Sequence, residues 1–499
     1  MKKTENGKHI GKFNNPLYQG QDPFITYKDG YYYLVASSNS RAGRYIYVAK
    51  SDSLIDQGEK VIVYRFDDSQ HRIFAPEIFF INGKWYIYYC SDYTEENMNH
   101  YAGVLESVTD DPQGEYIHTG PLYTGTNGRN LQANDFTVFE YEGQLYGTWG
   151  TMPDSWGELP HESIPQPPAP AIVKMESPTE IKDDRIILSP GTNERIAAVL
   201  NGSEAGPITA EKRRGEEGPR VLRRNGKLFI TTSQGPFADV TYRLGIYAFQ
   251  GGSVLNPENW IFRDNVFNGT ADVYSAGRAS FVKSADGTED WIIYHSKIFK
   301  QPGNGFRNVN IQKFGWDGED NPVFGTPVSP FEFQYLPSGD PGIGLIYYAE
   351  NASCKGGYKG SSQGHQGTEY IGLDMKKGAE ISFVVETDRA GSYFVRSRYA
   401  YSPSEPEDIE DINKKETLRS RFYTDKISVY VNGEHIAKTE FTNTGTDLDR
   451  YMYQGQQLTL EKGANTITYK VDDSGTGSIR FDYIAIKSIR PPRKPLRDV

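Results

Sequence analysis

The sequence predicts an all-β protein: a radial array of β-hairpins of the propeller kind, followed by a β-sandwich. Three observations predict it. First, a glycine turn followed by an aromatic-rich strand recurs five times, and repetition at such spacing marks a radial or stacked array. The phrases are Asp29-Gly30-Tyr31-Tyr32-Tyr33, Asn82-Gly83-Lys84-Trp85-Tyr86, Glu142-Gly143-Gln144-Leu145-Tyr146, Asn225-Gly226-Lys227-Leu228-Phe229, and Asp286-Gly287 leading to Trp291. Second, the chain holds 35 Tyr and is 13% aromatic, whereas Ala and Leu runs at helical spacing are scarce, as suits strands. Third, short strands such as Lys426-Ile427-Ser428-Val429-Tyr430-Val431, with Asn432-Gly433 as a hairpin turn, continue to the C-terminus.

The repeats fill residues 14–337. Their strands alternate in Lys84-Trp85-Tyr86-Ile87-Tyr88-Tyr89 and Trp291-Ile292-Ile293-Tyr294-His295. A charged residue precedes each turn: Asp22, Glu77, Asp135, Glu217 and Arg278. The innermost strand of a propeller blade borders the central channel, so these charges are expected to converge on the axis. Glycoside hydrolysis needs one carboxylic acid to protonate the leaving oxygen and a second carboxylate to act on water or on the anomeric carbon. Asp22, Asp135 and Glu217 are the candidates. Like charges raise one another's proton affinity, which keeps one of them protonated at neutral pH as a general acid requires. Their matched positions in the repeat favour this reading over acids that only cap strands or bind a central cation.

The widest gap between repeats holds Pro165-Gln166-Pro167-Pro168-Ala169-Pro170, a stiff connection read as a surface insertion rather than a pocket rim. Residues 338–343 read as a linker, 344–488 as the sandwich, and 489–499 as a basic tail. Within the sandwich, Glu405 to Glu416 is acidic and reads as a solvated loop rather than a cation site. The net charge of -11 argues against nucleic acid. Cys90 and Cys354 read as unpaired structural thiols. No apolar run is long enough for a membrane span. Met1-Lys2-Lys3 is not followed by an apolar stretch, so a cytoplasmic location is expected, with secretion after loss of a leader as the alternative.

The phrases Gln21-Asp22-Pro23, Phe74-Ala75-Pro76-Glu77-Ile78, Asn134-Asp135-Phe136-Thr137-Val138-Phe139, Glu217-Gly218-Pro219 and Trp291-Ile292-Ile293-Tyr294-His295 resemble family 43 glycoside hydrolases. The nearest branch is that of α-L-arabinofuranosidases and related β-xylosidases. The resemblance implies a five-bladed β-propeller, in agreement with the five repeats, and an inverting reaction. It implies Asp22 as general base, Glu217 as general acid, and Asp135 as the residue that orients Glu217 and keeps its proton affinity high. The first two are then expected about 6.5–9.5 Å apart. Arg307 matches a family arginine that hydrogen-bonds the glycone, with a surface salt bridge as the alternative. Phe74 stands where the family usually has tryptophan and is expected to wall the sugar site. Arg278, counted with Phe74 and Arg307 among the expected substrate-binding residues, stands where the family often has a histidine that helps to hold a central cation. A permanent charge there replaces such an ion, so no cofactor for catalysis is expected. Glu77 is expected to be structural, and His295 a satisfied, partly buried histidine.

In the second region, Tyr348-Ala349-Glu350, Ala390-Gly391-Ser392-Tyr393 with Arg396-Ser397-Arg398-Tyr399, and Phe481-Asp482-Tyr483-Ile484 resemble carbohydrate-binding module family 6. The resemblance implies a structural calcium held by Glu350 and Asp482, the alternative being two ordinary strand-end acids. It implies Tyr451 as a sugar platform, the alternative being a domain that only packs on the propeller and shapes its pocket.

The expected function is an inverting exo-acting glycosidase that removes terminal α-L-arabinofuranosyl units from plant-derived glycans, with an arabinose- or xylose-containing oligo- or polysaccharide as partner. A β-D-xylosidase or a galactofuranosidase of the same fold is the alternative. Invertases and fructosidases stand further off, because Asp135 lacks their Arg-Asp-Pro phrase. A non-catalytic glycan-binding protein is the reading of another class, motivated by Arg278 and Phe74. Neither nucleic acid nor membrane is expected as a partner, and the oligomeric state is open.

Overall fold

The structure, a computed structural model, describes residues 4–9, 11–37, 44–67, 71–92, 100–151, 169–188, 216–235, 237, 240–298, 307–403, 424–445 and 447–489. The Pro165–Pro168 part of the insertion, the Glu405–Glu416 loop and the tail from Arg490 lie outside these residues.

Local turn chemistry starts each sheet. At Asp29-Gly30, Asn82-Gly83, Glu142-Gly143 and Asn225-Gly226 both residues have positive φ, from 46° to 86°. Such two-residue turns twist with the strands they join, which is why Gly follows Asp or Asn in three of them. Each turn joins the first two strands of an antiparallel sheet. The first sheet contains Gln21–Lys28, Tyr31–Ser37, Tyr45–Ser51 and Glu59–Arg65. The second contains His71–Ile81, Lys84–Asp92, His100–Ser107 and Tyr116–Pro121. The third contains Ala133–Tyr141, Gln144–Thr151, Ala169–Lys174 and Ile186–Ile187. The fourth contains Glu216–Arg224, Lys227–Gln234, Arg243–Phe249 and Trp260–Asn268. The fifth contains Tyr274–Lys283, Asp290–Lys297, Arg307–Trp316 and Pro322–Val323.

The first strands contact one another in a closed circuit: first to second, second to third, third to fourth, fourth to fifth, and fifth back to first. Tyr18–Gln19, just ahead of the first sheet, pairs with Arg307–Trp316 of the fifth and ties the ends together. A separate apolar core fills each seam, for example Val35, Ile78 and Ile87 between the first two sheets. Phe229, Leu244 and Tyr294 fill the seam between the fourth and fifth. The inner strands of each sheet are therefore buried on both faces while the outermost keep one face exposed, and polar side chains collect where the first strands meet.

After residue 344 the chain builds two more sheets. One has seven strands, among them Leu345–Tyr348, Gly391–Ser402, Met452–Leu460 and Ser478–Ser488. The other has five, among them Glu380–Thr387, Thr424–Val431 and Gly463–Lys470. Ile371, Phe383, Val429, Tyr469 and Phe481 pack in one core between them. Lys8–His9 also pairs into the seven-stranded sheet, so the N-terminal segment crosses to the C-terminal region. That region is fastened to the ring. Arg396 pairs with Asp56, Lys487 with Asp52, and the Tyr453 N–H donates to the Leu17 carbonyl at 2.7 Å. The expected linker is pinned as well: Asp340 accepts from the Leu54 N–H at 2.7 Å and Ile343 is fully buried. Cys90 is buried, Cys354 is exposed, and no disulfide joins them. Among the described residues no helix is long and apolar enough to cross a membrane.

Candidate active site

A β-bulge interrupts the first strand of each of the five ring sheets, and it decides where the charges point. In each sheet the register shifts so that two residues of the first strand oppose one of the second: between Gln21 and Phe24, Phe74 and Glu77, Asn134 and Thr137, Glu217 and Arg220, and Gly277 and Ser280. The first extra residue has positive φ in all five: Asp22 52°, Ala75 49°, Asp135 62°, Gly218 60° and Arg278 51°. A bulge of this kind re-aims a side chain, and in non-glycine residues the left-handed backbone costs about 1–2 kcal/mol.

This register corrects the expectation that Asp22, Asp135 and Glu217 occupy matched positions. Asp22, Asp135 and Arg278 share the bulge position, together with the small Ala75 and Gly218. Glu217 stands one residue earlier, level with Gln21, Phe74 and Asn134. Glu77 stands two residues later, level with Phe24, Thr137 and Arg220. The charges form three tiers down the ring, with Glu217 uppermost and Glu77 deepest. Exposure follows the tiers: Glu217, Asp135 and Asp22 are 9%, 8% and 7% exposed, and Glu77 is 0% exposed. A ligand can reach the first three and not the fourth.

Asp22 is held as an anion. Burial alone would raise its proton affinity, but Arg307, Arg278, His295 and Ser37 outweigh it and bring its pKa down to about 2. Arg307 Nη1 lies 3.3 Å and Arg278 Nε 3.7 Å from its Oδ1, and the Ser37 hydroxyl donates to Oδ2 at 2.6 Å. The Asp22 backbone N–H donates to Nδ1 of His295 at 3.2 Å, which leaves the imidazole proton on Nε2. His295 is fully buried, and burial first, then the nearby Arg307, drive its pKa well below the ordinary value. It is a neutral structural acceptor.

That bond repeats elsewhere in the ring. The residue of the second strand opposite the pre-bulge position accepts the bulge N–H of the next sheet. Ser37 Oγ accepts from Ala75 at 2.7 Å, Ser233 Oγ from Arg278 at 2.8 Å, and His295 from Asp22. These bonds satisfy backbone donors that the bulges free from the ladder.

Glu217 is held as an acid. Burial and the Asp135 charge push its pKa up to about 8, against a hydrogen bond from Tyr242 and the charge of Arg278. The Tyr242 hydroxyl donates to Glu217 Oε1 at 2.8 Å. Tyr242 is itself fully buried, and burial raises its pKa well above the ordinary value, so it stays a donor.

Arg278 links the bulge tier to the deepest one and is buried among carboxylates, not open to substrate as expected. It is 1% exposed, and its Nη2 lies 2.9 Å from Asp135 Oδ1 and 4.0 Å from Glu77 Oε1. Burial opposes its charge, but Asp135, Asp22 and Glu77 together hold it cationic. Gly218 is required beside it: a Cβ there would sit 2.6 Å from Arg278 Cδ, at a φ of 60°. The deepest tier pairs Glu77 with Arg220, whose guanidinium also lies 5.6 Å over the Phe24 ring. Burial pushes Glu77 up to about 7 against the pull of Arg220 and Arg278.

The other expected residues divide. Phe74 is partly exposed at the Glu217 level, its ring 5.1 Å from that of His100. Arg307 sits in the site with its guanidinium 5.0 Å over Phe237, bound to Gln21 and Asp22 rather than in a surface salt bridge. Tyr451 is no sugar platform: it is fully buried, with Arg398 4.9 Å over its ring and its hydroxyl 2.9 Å from Ser362. It packs where the C-terminal region meets the ring. Glu350 and Asp482 converge beside Gly367 but are engaged by donors. Asp482 pairs with Arg398 and accepts the Gln366 and Gly367 N–H groups at 2.9 Å each. Glu350 accepts N–H groups of Thr4, Thr368 and Glu369. Calcium takes about six to eight oxygen ligands, and this set of N–H groups and a guanidinium does not fit it. Sequence reasoning missed Ser37, Tyr242 and Arg220, whose roles depend on partners distant in the chain.

Residues 13–322 match the family Glycosyl hydrolases family 43. Alpha-L-arabinofuranosidase 43 of Humicola insolens is 26% identical over 70% of this chain and 69% of its own length. The extracellular exo-alpha-(1->5)-L-arabinofuranosidase of Streptomyces avermitilis is 28% identical over 64% of each chain. The chain thus spans about two thirds of these relatives. The crystal structure of an alpha-L-arabinofuranosidase from Lactobacillus brevis superposes with a TM-score of 0.54 at 26% identity, covering 64% of this chain and 97% of that one. The match spans the whole ring and every residue of the three tiers, and the chain is accordingly a glycoside hydrolase belonging to glycosyl hydrolase family 43.

Proposed function

We propose that the protein is an inverting, exo-acting α-L-arabinofuranosidase that releases terminal arabinofuranosyl units from plant-derived glycans. The observation that carries this reading is the opposite displacement of two carboxyl groups at one mouth: Asp22 down to about 2 and Glu217 up to about 8. At neutral pH the first is a base and the second an acid. The arabinofuranosidase relatives support the choice of glycone.

In the proposed reaction Asp22 takes a proton from water as its oxygen attacks the anomeric carbon. Glu217 gives its proton to the glycosidic oxygen on the opposite face, the glycosidic bond breaks, and the sugar leaves with inverted configuration. Asp22 ends protonated and Glu217 ionised, and exchange with solvent restores both. Arg278 and Asp135 position this pair electrostatically without joining the proton transfer. We further infer that the five sheets are blades of a propeller over residues 14–337. Residues 338–343 join it to a carbohydrate-binding-module-like β-sandwich over 344–488, with a basic tail at 489–499.

Hydrolysis of aryl α-L-arabinofuranoside, β-D-xylopyranoside and β-D-galactofuranoside by the native protein and by Glu217→Gln tests the reading. Release from the arabinofuranoside that collapses in the variant is expected. Preferential release from another glycone would reassign the sugar, and release equal in both proteins would remove Glu217 from its role.

A further inference from the structure

We propose that the cavity between the first sheet and the C-terminal region is a second binding site for a neutral glycan chain, built jointly by the two parts of the molecule. The inference rests on the chain being a glycoside hydrolase and not on the choice of glycone made above. The cavity encloses about 490 Å³, within the span of about 300–1,000 Å³ common for small-ligand sites. Its lining crosses the first sheet from Ser37 on the second strand, through Tyr45 and Tyr47 on the third, to Lys60 on the fourth. The first strands are innermost in the ring, so the cavity runs outward from beside the catalytic base, whose Oδ2 the Ser37 hydroxyl holds. Among the described residues, none of the fourth sheet, which carries Glu217, lines it. It therefore lies away from the acid side, where the leaving group departs.

Contacts on both sides hold the walls. Tyr45 and Tyr47 stand two residues apart on one strand, so they share a face, and both are partly exposed. On the other wall, Phe394 of the C-terminal region lies flat against the neighbouring strand at Gly455, where a Cβ would meet its ring at 2.5 Å. The Arg396 guanidinium lies 4.2 Å over the Phe394 ring and pairs with Asp56, between the third and fourth strands of the first sheet. The ion pair that fastens the two parts thus also sets this ring in place.

The lining has the chemistry of a sugar site. Partly exposed aromatic rings suit the apolar faces of sugars, and side chains that donate or accept suit their hydroxyls. Lys60 is exposed, with its ammonium 5.2 Å from the centre of the Tyr47 ring, and among the described residues it has no carboxylate partner. Glu440, on the far wall, accepts from the Thr424 hydroxyl at 2.8 Å through one oxygen, which leaves the other for a ligand. The two charges are not paired with each other, so each keeps hydrogen-bonding capacity. They also sum to zero, which favours a neutral chain over an anionic one. Gln454, partly exposed on the C-terminal wall, adds a group that both donates and accepts.

The test is calorimetric titration of full-length Glu217→Gln, which does not consume its ligand, with arabinohexaose and with xylohexaose. Binding of at least one hexaose is expected. Adding Lys60→Ala, on the ring wall, or Gln454→Ala, on the C-terminal wall, should weaken it about five- to ten-fold, the scale of one lost hydrogen bond. In the otherwise native protein the same two substitutions should leave kcat/KM unchanged on whichever aryl glycoside of the panel above is cleaved. Binding of neither hexaose, or affinities that neither substitution alters, would overturn the site. A response to one wall alone would overturn its joint construction, and a matching loss of aryl turnover would place the effect in the catalytic ring instead. The titration reads the cavity without turnover, so it stands even if the proposed glycone is wrong.

Discussion

Arg278→Gln removes the cation that, among the described residues, lies within 4.0 Å of Asp22, Glu77 and Asp135 together, and both limbs of the pH profile should respond. Arg278 Nε lies 3.7 Å from Asp22 Oδ1. At an effective dielectric constant of about 20, that pair is worth about 4.5 kcal/mol, or about three units of Asp22 pKa. Arg307 remains at 3.3 Å and absorbs part of the loss, so a rise of about one to three units is expected. The sign follows from the base being needed ionised: activity is lost as pH falls through the Asp22 pKa, and a higher pKa moves that loss upward, into a readable range near pH 3–5 (about one to three units above the native limb). Arg278 also opposes the raised pKa of Glu217, so its removal moves the alkaline limb up from about 8. The assay is kcat/KM against pH on the aryl substrate, with thermal melting to confirm a folded variant. General damage lowers the whole profile without moving its limbs. An acid limb that stays in place in a folded variant would refute the electrostatic account of Asp22.

Further outcomes are expected from the same network. Tyr242→Phe removes a hydrogen bond that holds down the Glu217 pKa, so the alkaline limb should move upward by about one unit, read from the same profile. Gly218→Ala should lower the melting temperature and turnover together, since its Cβ meets Arg278 Cδ at 2.6 Å and φ is 60°. Because Arg278 supplies the charge in the ring, a strong chelator should leave native turnover nearly unchanged, and a large calcium-reversible loss would count against that role. Arg396→Met leaves Asp56 buried without its partner and should cost about 3–5 kcal/mol in denaturant unfolding, loosening the C-terminal region from the first sheet.

How much of this was legible depends on how local each determinant is. The hairpin turns were, because Asp29-Gly30 and its counterparts carry their backbone preference in two adjacent residues. The charged residues were also visible, but their levels were not, since a bulge is a property of two paired strands and displaces side chains by one residue. A signal did exist. Aligning Asp22-Pro23, Ala75-Pro76 and Gly218-Pro219 places Ala75 and Gly218, not Glu77 and Glu217, in the column of Asp22. Ser37, Tyr242 and Arg220 act across seams between sheets, and no spacing in the chain announces that. Tyr451 misled for a related reason: a sequence shows an aromatic residue but not which face of a sheet a neighbouring region covers.

The tiers explain how one repeated backbone device yields two opposite carboxyl groups. Five bulge residues aim at one axis, and five large side chains do not fit there. Ala75 and Gly218 are small, and the space they leave is crossed by Arg278. Asp22, at the bulge level, therefore meets a guanidinium and is held ionised. Glu217, one residue earlier, rises above that level. Its direct partner in the site is the neutral Tyr242, and Asp135 faces it as a like charge, so burial prevails and the proton stays. Had glutamate stood at position 218 in place of glycine, it would have required the left-handed backbone and the volume that Arg278 fills. A single residue of register, set by the bulge, thus separates the proton acceptor from the proton donor.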